Sequence, residues 1–264
     1  MYIHCYLISL LKYSADTSII YIAGKGKDTG KGDRTMRICG LNKTTLLDYP
    51  GHVAAAVFLG GCNFRCPFCQ NGDLVLRPES QAAVREEELF PFLEKRKGIL
   101  SGVCITGGEP TMEKDLGRLA GRIKEMGYLV KLDTNGSRPE IIEGLLKNGW
   151  VDYIAMDIKN SMERYGETVG LRNLDPGRIR ESMNLIMKSG IDYEFRTTIA
   201  KELHRKEDME SIGREIKGAK AYFLQSYQES PGVIMPGFHA YNRAEMEGLA
   251  AAVRPFVPDV QVRG

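Results

Sequence analysis

From His52 onward, short apolar runs alternate with longer stretches in which apolar residues recur every three or four positions. The short runs predict strands over His52–Leu59, Gly102–Thr106, Tyr128–Asp133, Val151–Ile158, Asp192–Ile199 and Ala221–Gln225. The longer stretches predict helices over Val84–Lys97, Glu113–Met126, Pro139–Lys147, Asp175–Lys188, Lys206–Lys217 and Arg243–Val253. Gly127 and Gly190 stand where two of these helices should stop. Strands that alternate with helices build a parallel sheet wrapped by helices, so the expected class is α/β. Six such units suit a partial, TIM-like (β/α)6 barrel with its reacting loops at the C-terminal strand ends. No fixed-period repeat or second-domain linker interrupts the pattern.

Residues 1–35 lack this periodicity and include the tract KGKDTGKGD, typical of a flexible segment. A fresh start follows at Met36. The expected organisation is therefore one domain over 36–264, preceded by a flexible arm or by an extension from a misassigned start, with Met36 as the native initiator.

Composition narrows the function classes. The 264 residues are 43% hydrophobic and 27% charged, which allows a large core. A net charge of +2 is too balanced for the concentrated basic face that nucleic-acid binding needs. No apolar run reaches the roughly 18 residues of a membrane span. The first residues are interrupted by Lys12 and Asp16 and lack the layout of a signal peptide. The expected compartment is the reducing cytoplasm, where six cysteines serve better as ligands or core residues than as disulfides.

Three of those cysteines follow the first predicted strand, in Gly60-Gly61-Cys62-Asn63-Phe64-Arg65-Cys66-Pro67-Phe68-Cys69-Gln70-Asn71. The spacing is C-x3-C-x2-C. Thiolates are the usual iron–sulfur ligands, and one short loop can wrap three of them around a cube. Three protein ligands leave the fourth iron open to a small molecule, as open positions do in catalytic metal sites. A zinc site would want a fourth ligand, and His52 belongs at the opposite end of its strand. Cys104 lies in an apolar strand and reads as a small core residue; Cys5 and Cys39 also lie outside the motif.

This loop, with Phe68 before its last cysteine, resembles the signature of the radical S-adenosylmethionine (SAM) superfamily. The resemblance implies one [4Fe–4S] cluster on Cys62, Cys66 and Cys69, whose open iron chelates SAM, and it makes 36–264 a radical SAM domain. One electron would then split SAM into methionine and a 5′-deoxyadenosyl radical. Gly107-Gly108-Glu109, at the end of the next strand, is similar to the family's methionine-binding motif, and the glycines would let the backbone approach a ligand. It implies Glu109 near the SAM ammonium, beside the carbonyls of Gly107 and Gly108. Asp133-Thr134, Asp157-x-Lys159 and Arg196 end later strands. They resemble residues around SAM in the activating enzymes of glycyl radical enzymes, with Arg196 on the SAM carboxylate. The same resemblance implies a monovalent cation near Asp133 and Asp157. Gln228 departs from the pattern, because pyruvate formate-lyase activating enzyme carries a histidine there. The roles of Gln225 and Gln228 stay open.

Gly40 to Gly51, reading GLNKTTLLDYPG, precedes the cysteine strand and resembles the longer form of anaerobic ribonucleoside-triphosphate reductase activating proteins. Asp48-Tyr49-Pro50-Gly51 also reads simply as a turn. The resemblance implies hydrogen abstraction from a glycine of a partner, anaerobic ribonucleotide reductase first among candidates, with a flavodoxin or ferredoxin-type electron donor. From the charge balance and the lack of a long apolar run, no nucleic-acid or membrane partner is expected. Two alternatives remain at this stage: a radical SAM enzyme acting on a small molecule or peptide, and an iron–sulfur electron-transfer protein.

Overall fold

The computed structural model describes residues 36–264. The expectations for residues 1–35, and Cys5, lie outside the described residues.

The chain enters through strand β1 (Ile38–Thr45) and turns back into β2 (Ala54–Leu59). The turn at Asp48–Gly51 forms as read: His52 N donates to Tyr49 O (3.1 Å), and Gly51 takes a φ of 78°. His52 then bonds Ser101 at the end of the strand away from the cysteines, its Nδ1 lying 3.1 Å from Ser101 Oγ. The short helix α1 (Gly72–Leu76) follows the cysteine loop, then α2 (Glu86–Glu94) and β3 (Gly102–Gly107). Next come α3 (Leu116–Glu125), β4 (Leu129–Thr134), α4 (Pro139–Lys147) and β5 (Tyr153–Asp157). The remainder is α5 (Tyr165–Thr168), α6 (Pro176–Lys188), β6 (Asp192–Ile199), α7 (Lys206–Glu215), β7 (Tyr222–Ser226), α8 (Arg243–Val253) and β8 (Val260–Arg263).

The strands form one sheet in chain order, β1 to β8, with β1 and β8 as its edges. From β2 onward every neighbouring pair is parallel; β1 alone runs antiparallel, against β2. This is the expected α/β class and partial barrel, with six central strands β2–β7 where the apolar runs lie. Two edge strands are added. β1 escapes the pattern because Gly40 and Asn42 break its alternation and its pairing with β2 shifts register twice. β8 has only four residues, Val260-Gln261-Val262-Arg263, too few for periodicity to register.

The period of two sorts each central strand into faces. Val130, Leu132, Ile154, Met156, Phe195 and Leu224 are fully buried in the helix-covered core. The alternating positions, among them Lys131, Asp133, Tyr153, Asp157, Glu194 and Arg196, share the opposite face, where they pair across strands. Caps set several helix starts: the Asp175 carboxylate accepts from Gly177 N (2.9 Å), and Asn242 and Glu245 form a reciprocal capping box. Among the described residues no helix is long and apolar enough to cross a membrane.

Candidate active site

The cysteine loop leaves the end of β2 and is tied to four parts of the chain. Arg65 N donates to Val169 O (2.9 Å), and the Arg65 guanidinium reaches back to the carbonyls of Cys62 (2.6 Å) and Phe64 (2.7 Å). Asn63 Nδ2 donates to Ser137 Oγ (2.8 Å), and Asn63 Oδ1 accepts from Asn135 Nδ2 (3.0 Å). Asn71 Nδ2 donates to Gly107 O (3.1 Å). The segment after β7 lies across the far side of the loop. Ile234 N donates to Cys69 O (3.1 Å), Met235 N to Pro67 O (2.9 Å), and Gly72 N to Gly232 O (2.9 Å). Gly72 and Gly232 allow this approach, since a Cβ on either would lie 2.6 Å from a facing carbonyl oxygen.

Cys66 is buried, while Cys62 and Cys69 are partly exposed; none is in a disulfide. Burial pushes the Cys62 thiol up to about 11 and the Cys66 thiol up to about 12. Loading a metal on such thiols must therefore release protons. Phe64 N donates to Cys62 Sγ (3.3 Å), and Asn135 Nδ2 lies 3.9 Å from the same sulfur. Such donors to a sulfur tune a thiolate ligand. Among the described residues no three His, Cys, Asp or Glu side chains converge on one metal-ion position. The loop offers sulfur donors only, each able to meet a separate iron, and that chemistry fits an iron–sulfur cube.

Phe68 is buried and packs edge-on against His204 and Phe238, each with ring centroids 6.2 Å away. His204 is fully buried, and burial holds its imidazole below the usual range, hence neutral. Its Nδ1 accepts from Ala200 N (3.1 Å), and Nε2 donates to Lys159 O (2.8 Å). His204 thus steadies the backbone of Asp157-Ile158-Lys159 and the aromatic side chain of the cysteine loop together.

Gly107 and Gly108 bring the turn after β3 against the cysteine loop, backbone to backbone. Gly108 N donates to Leu59 O (2.9 Å) and Glu109 N to Gly61 O (2.8 Å). A Cβ on Gly107, whose φ is 128°, would sit 2.2 Å from Leu59 O; one on Gly108 would sit 1.9 Å from Gly61 O. The close approach that the glycines permit is thus first to this chain's own backbone. Gly108→Ala is accordingly expected to cost about 1–3 kcal/mol by overpacking. It should also lower iron content after reconstitution, as read by colorimetric iron analysis and urea unfolding.

Glu109 lies beneath this turn, 1% exposed. Its Oε1 accepts from Thr111 N (3.0 Å), Thr111 Oγ1 (2.5 Å) and Thr134 Oγ1 (2.7 Å), and its Oε2 from Asn135 N (2.6 Å). Burial raises the carboxyl, while the bonds from Thr111, Asn135 and Thr134 pull it down. Glu109 and Thr134 therefore brace the ends of β3 and β4 against each other.

Asp133, Asp157, Lys159 and Arg196 do come together. Arg196 bridges the two aspartates, with Nη2 3.3 Å from Asp133 Oδ2 and Nε 2.5 Å from Asp157 Oδ1. Lys159 Nζ donates to the other Asp157 oxygen (3.0 Å). Burial pushes both carboxyls up, but the opposing pull of Arg196, joined by Lys131 at Asp133 and Lys159 at Asp157, outweighs it. Both carboxyls lie below the usual range.

The sequence reading missed several members of this neighbourhood. Lys131, 2% exposed, donates to Asp133 Oδ1; Glu194, also 2% exposed, takes Arg263 of β8 on both oxygens (3.2 and 3.0 Å). Lys131 was legible as a lysine inside the apolar run Leu129-Val130-Lys131-Leu132, in step with Asp133. Asn63, Asn135 and His204 carried no such signal. Gln228 is exposed, and its carbonyl accepts from Gln70 Nε2 (2.7 Å).

Comparison with known proteins bears on the family and the fold. The sequence profile of the radical SAM superfamily matches residues 56–216. The chain is 34% identical over 195 residues to a Methanocaldococcus jannaschii protein named, provisionally, as a glycyl-radical enzyme activating enzyme; the match covers 72% of this chain and 80% of that one. It is 30% identical over 166 residues to the 7-carboxy-7-deazaguanine synthase of Koribacter versatilis, covering 62% and 67%. Among solved structures, Streptococcus suis SuiB bound to S-adenosylmethionine superposes with a TM-score of 0.60 at 20% identity, over 77% of this chain and 48% of SuiB. The chain thus spans about half of SuiB, and the likeness is one of fold. A barrel with its cysteine loop after β2 and the glycine turn after β3, matched over most of its length by the superfamily profile, places this chain in the radical SAM superfamily.

Proposed function

We propose that this protein activates a glycyl radical enzyme by taking a hydrogen from a glycine of that partner. The observation that carries the reading is the 34% identity, over 80% of its length, to the M. jannaschii protein named for that activity. The superfamily implies a [4Fe–4S] cluster and SAM. Cys62, Cys66 and Cys69 would hold the cluster, with Phe68 packed behind them. Gly107, Gly108, Glu109, Asp133, Thr134, Asp157, Lys159 and Arg196 would form the SAM site. When bound, the cluster supplies the electron for reductive cleavage of SAM, and SAM supplies the carbon radical that takes the hydrogen.

This chain's own residues bind, orient and exclude water. The Arg196 fork suits a carboxylate, and the excess positive charge around it favours an anionic group there. The carbonyls of the Gly107–Gly108 turn are candidates to accept from an ammonium. Phe64, Phe68 and Tyr165 are buried beside the cysteine loop and keep its inner side dry. Transfer requires the partner's glycine to reach a near-attack separation of roughly 3–3.5 Å, so a partner loop must enter the barrel mouth.

The test mixes the reduced, cluster-loaded protein and SAM with anaerobic ribonucleotide reductase, under exclusion of oxygen and with a flavodoxin or ferredoxin as donor. The expected result is a doublet electron paramagnetic resonance signal on the partner that changes shape when its glycines carry deuterium at Cα. The 30% identity to a 7-carboxy-7-deazaguanine synthase favours a second reading, a small-molecule substrate. SAM cleavage without any partner radical, but with conversion of a small molecule, would support that reading instead.

A further inference from the structure

The charged groups inside the barrel mouth leave neither strand-end aspartate waiting for a small cation. Asp133 Oδ1 takes the Lys131 ammonium, and its Oδ2 faces Arg196 (3.3 Å). Asp157 Oδ1 takes Arg196 (2.5 Å), and its Oδ2 takes Lys159 (3.0 Å). The Arg196 guanidinium thus spans the two aspartates near which the sequence resemblance implies a monovalent cation. The network continues to Glu194, 4.0 Å from Arg196 Nη1, and through it to Arg263. Lys131, Lys159, Arg196 and Arg263 are four cations on three carboxylates, Asp133, Asp157 and Glu194. One positive charge is in excess. A sodium or potassium ion would enlarge that excess, whereas a carboxylate group placed beside Arg196, with the ammonium and sulfonium of SAM directed elsewhere, would offset it locally.

Lys131 is the unexpected member. It projects from β4 two residues before Asp133, so its ammonium meets that carboxylate from one layer deeper in the barrel. It is walled in by Cys104, whose Sγ lies 3.8 Å from Nζ, and by the Tyr153 ring at 5.9 Å. At 2% exposure it is shut off from solvent. A buried ammonium held this way is a fixed point charge.

We propose that Lys131, acting through Asp133 and together with Arg196, takes the place of a monovalent cation at the SAM site, so that SAM binding needs no added sodium or potassium. This rests on the SAM site described under the proposed function, and not on the identity of the hydrogen donor.

The experiment measures SAM binding to the cluster-reconstituted protein by equilibrium dialysis, in sodium, potassium or N-methylglucamine chloride at equal ionic strength. The wild-type affinity is expected to be the same in all three. Lys131→Met is expected to bind SAM weakly in N-methylglucamine and to recover with sodium or potassium by about 5-fold or more, the low end of ordinary coupling between sites. Lys131→Arg should restore independence. A merely structural lysine would weaken binding without creating a cation response. A wild-type gain of about 5-fold or more from either metal ion would overturn the proposal. So would a folded Lys131→Met protein that ignores both ions. If Lys131→Met fails to fold by circular dichroism, the wild-type comparison decides alone. Absence of SAM binding in every salt would instead overturn the site itself, and this inference with it.

Discussion

Cys66→Ala is expected to reduce 5′-deoxyadenosine formation to background, and Cys104→Ala to leave it intact. Both cysteines are buried, at 7% and 0% exposure, so burial does not separate them. Position does. Cys66 is the middle thiol of a loop held by Asn63, Arg65, Asn71 and the 232–235 segment. Cys104 sits within β3, beside Lys131. A cube deprived of one of three ligands loses its attachment, and a loop cannot supply a substitute at the same place. The check is anaerobic reconstitution, iron and sulfide analysis, and chromatography of the cleavage products. Native-rate cleavage by Cys66→Ala would show that the cluster lies elsewhere. Asn135→Ala removes a donor toward Cys62 Sγ, the bond to Asn63 and the acceptor of Ser137 N (2.9 Å), but no cluster ligand. Its effect should be graded, on the order of 10–100-fold, as for other groups that orient a metal ligand.

Arg196→Met is expected to be the most costly single change at the strand ends, about 3–5 kcal/mol of stability, with loss of SAM affinity. The guanidinium is the shared partner of Asp133 and Asp157, and its removal brings two carboxylates into a buried site with one counter-charge fewer. Urea unfolding and SAM dialysis together test this. A variant with wild-type stability and affinity would count against the bridging role.

The sign of the pH effect follows from the same network. Both aspartates have depressed folded-state values, so the stability they contribute is fully present above their unfolded value of about 3.9. It is lost as pH falls through their lower folded values. The contribution of this pair should therefore fade only as pH falls below about 4, and Arg196→Met, which lacks it, should shift the acid-unfolding midpoint upward. An unchanged midpoint would contradict the assignment.

The six central strands and their helices were legible because each strand must be apolar on the face that the helices cover. Leu132, Ile154 and Phe195 carry that demand in the sequence itself. Boundaries moved where local chemistry intervened: the strand read from His52 begins at Ala54, because the Asp48–Gly51 turn still occupies His52. The helix read over Val84–Lys97 shortens to Glu86–Glu94, because Val84 N donates to Ile38 O of β1 (2.8 Å) instead. The edge strands escaped because an edge needs little apolar periodicity.

The cysteine spacing, the glycine pair after β3 and the polar strand ends were present in the sequence. Short-range spacing alone dictates that three thiols share one loop, and a period of two dictates that Asp133 and Lys131 share a face. Which group answers which charge was decided only by the curvature and strand order of the sheet. Arg196 of β6 reaches Asp133 on β4 across the intervening β5, and Arg263 of β8 reaches Glu194 on β6 across β7. Glu109 spends its carboxylate on Thr111, Thr134 and Asn135 because the ends of β3 and β4 lie side by side. Apart from Thr111, which is local to Glu109, those partners are 25 to 69 residues apart along the chain, too far for any local pattern to encode. Folding places them together, because a parallel barrel brings the ends of successive strands to one mouth.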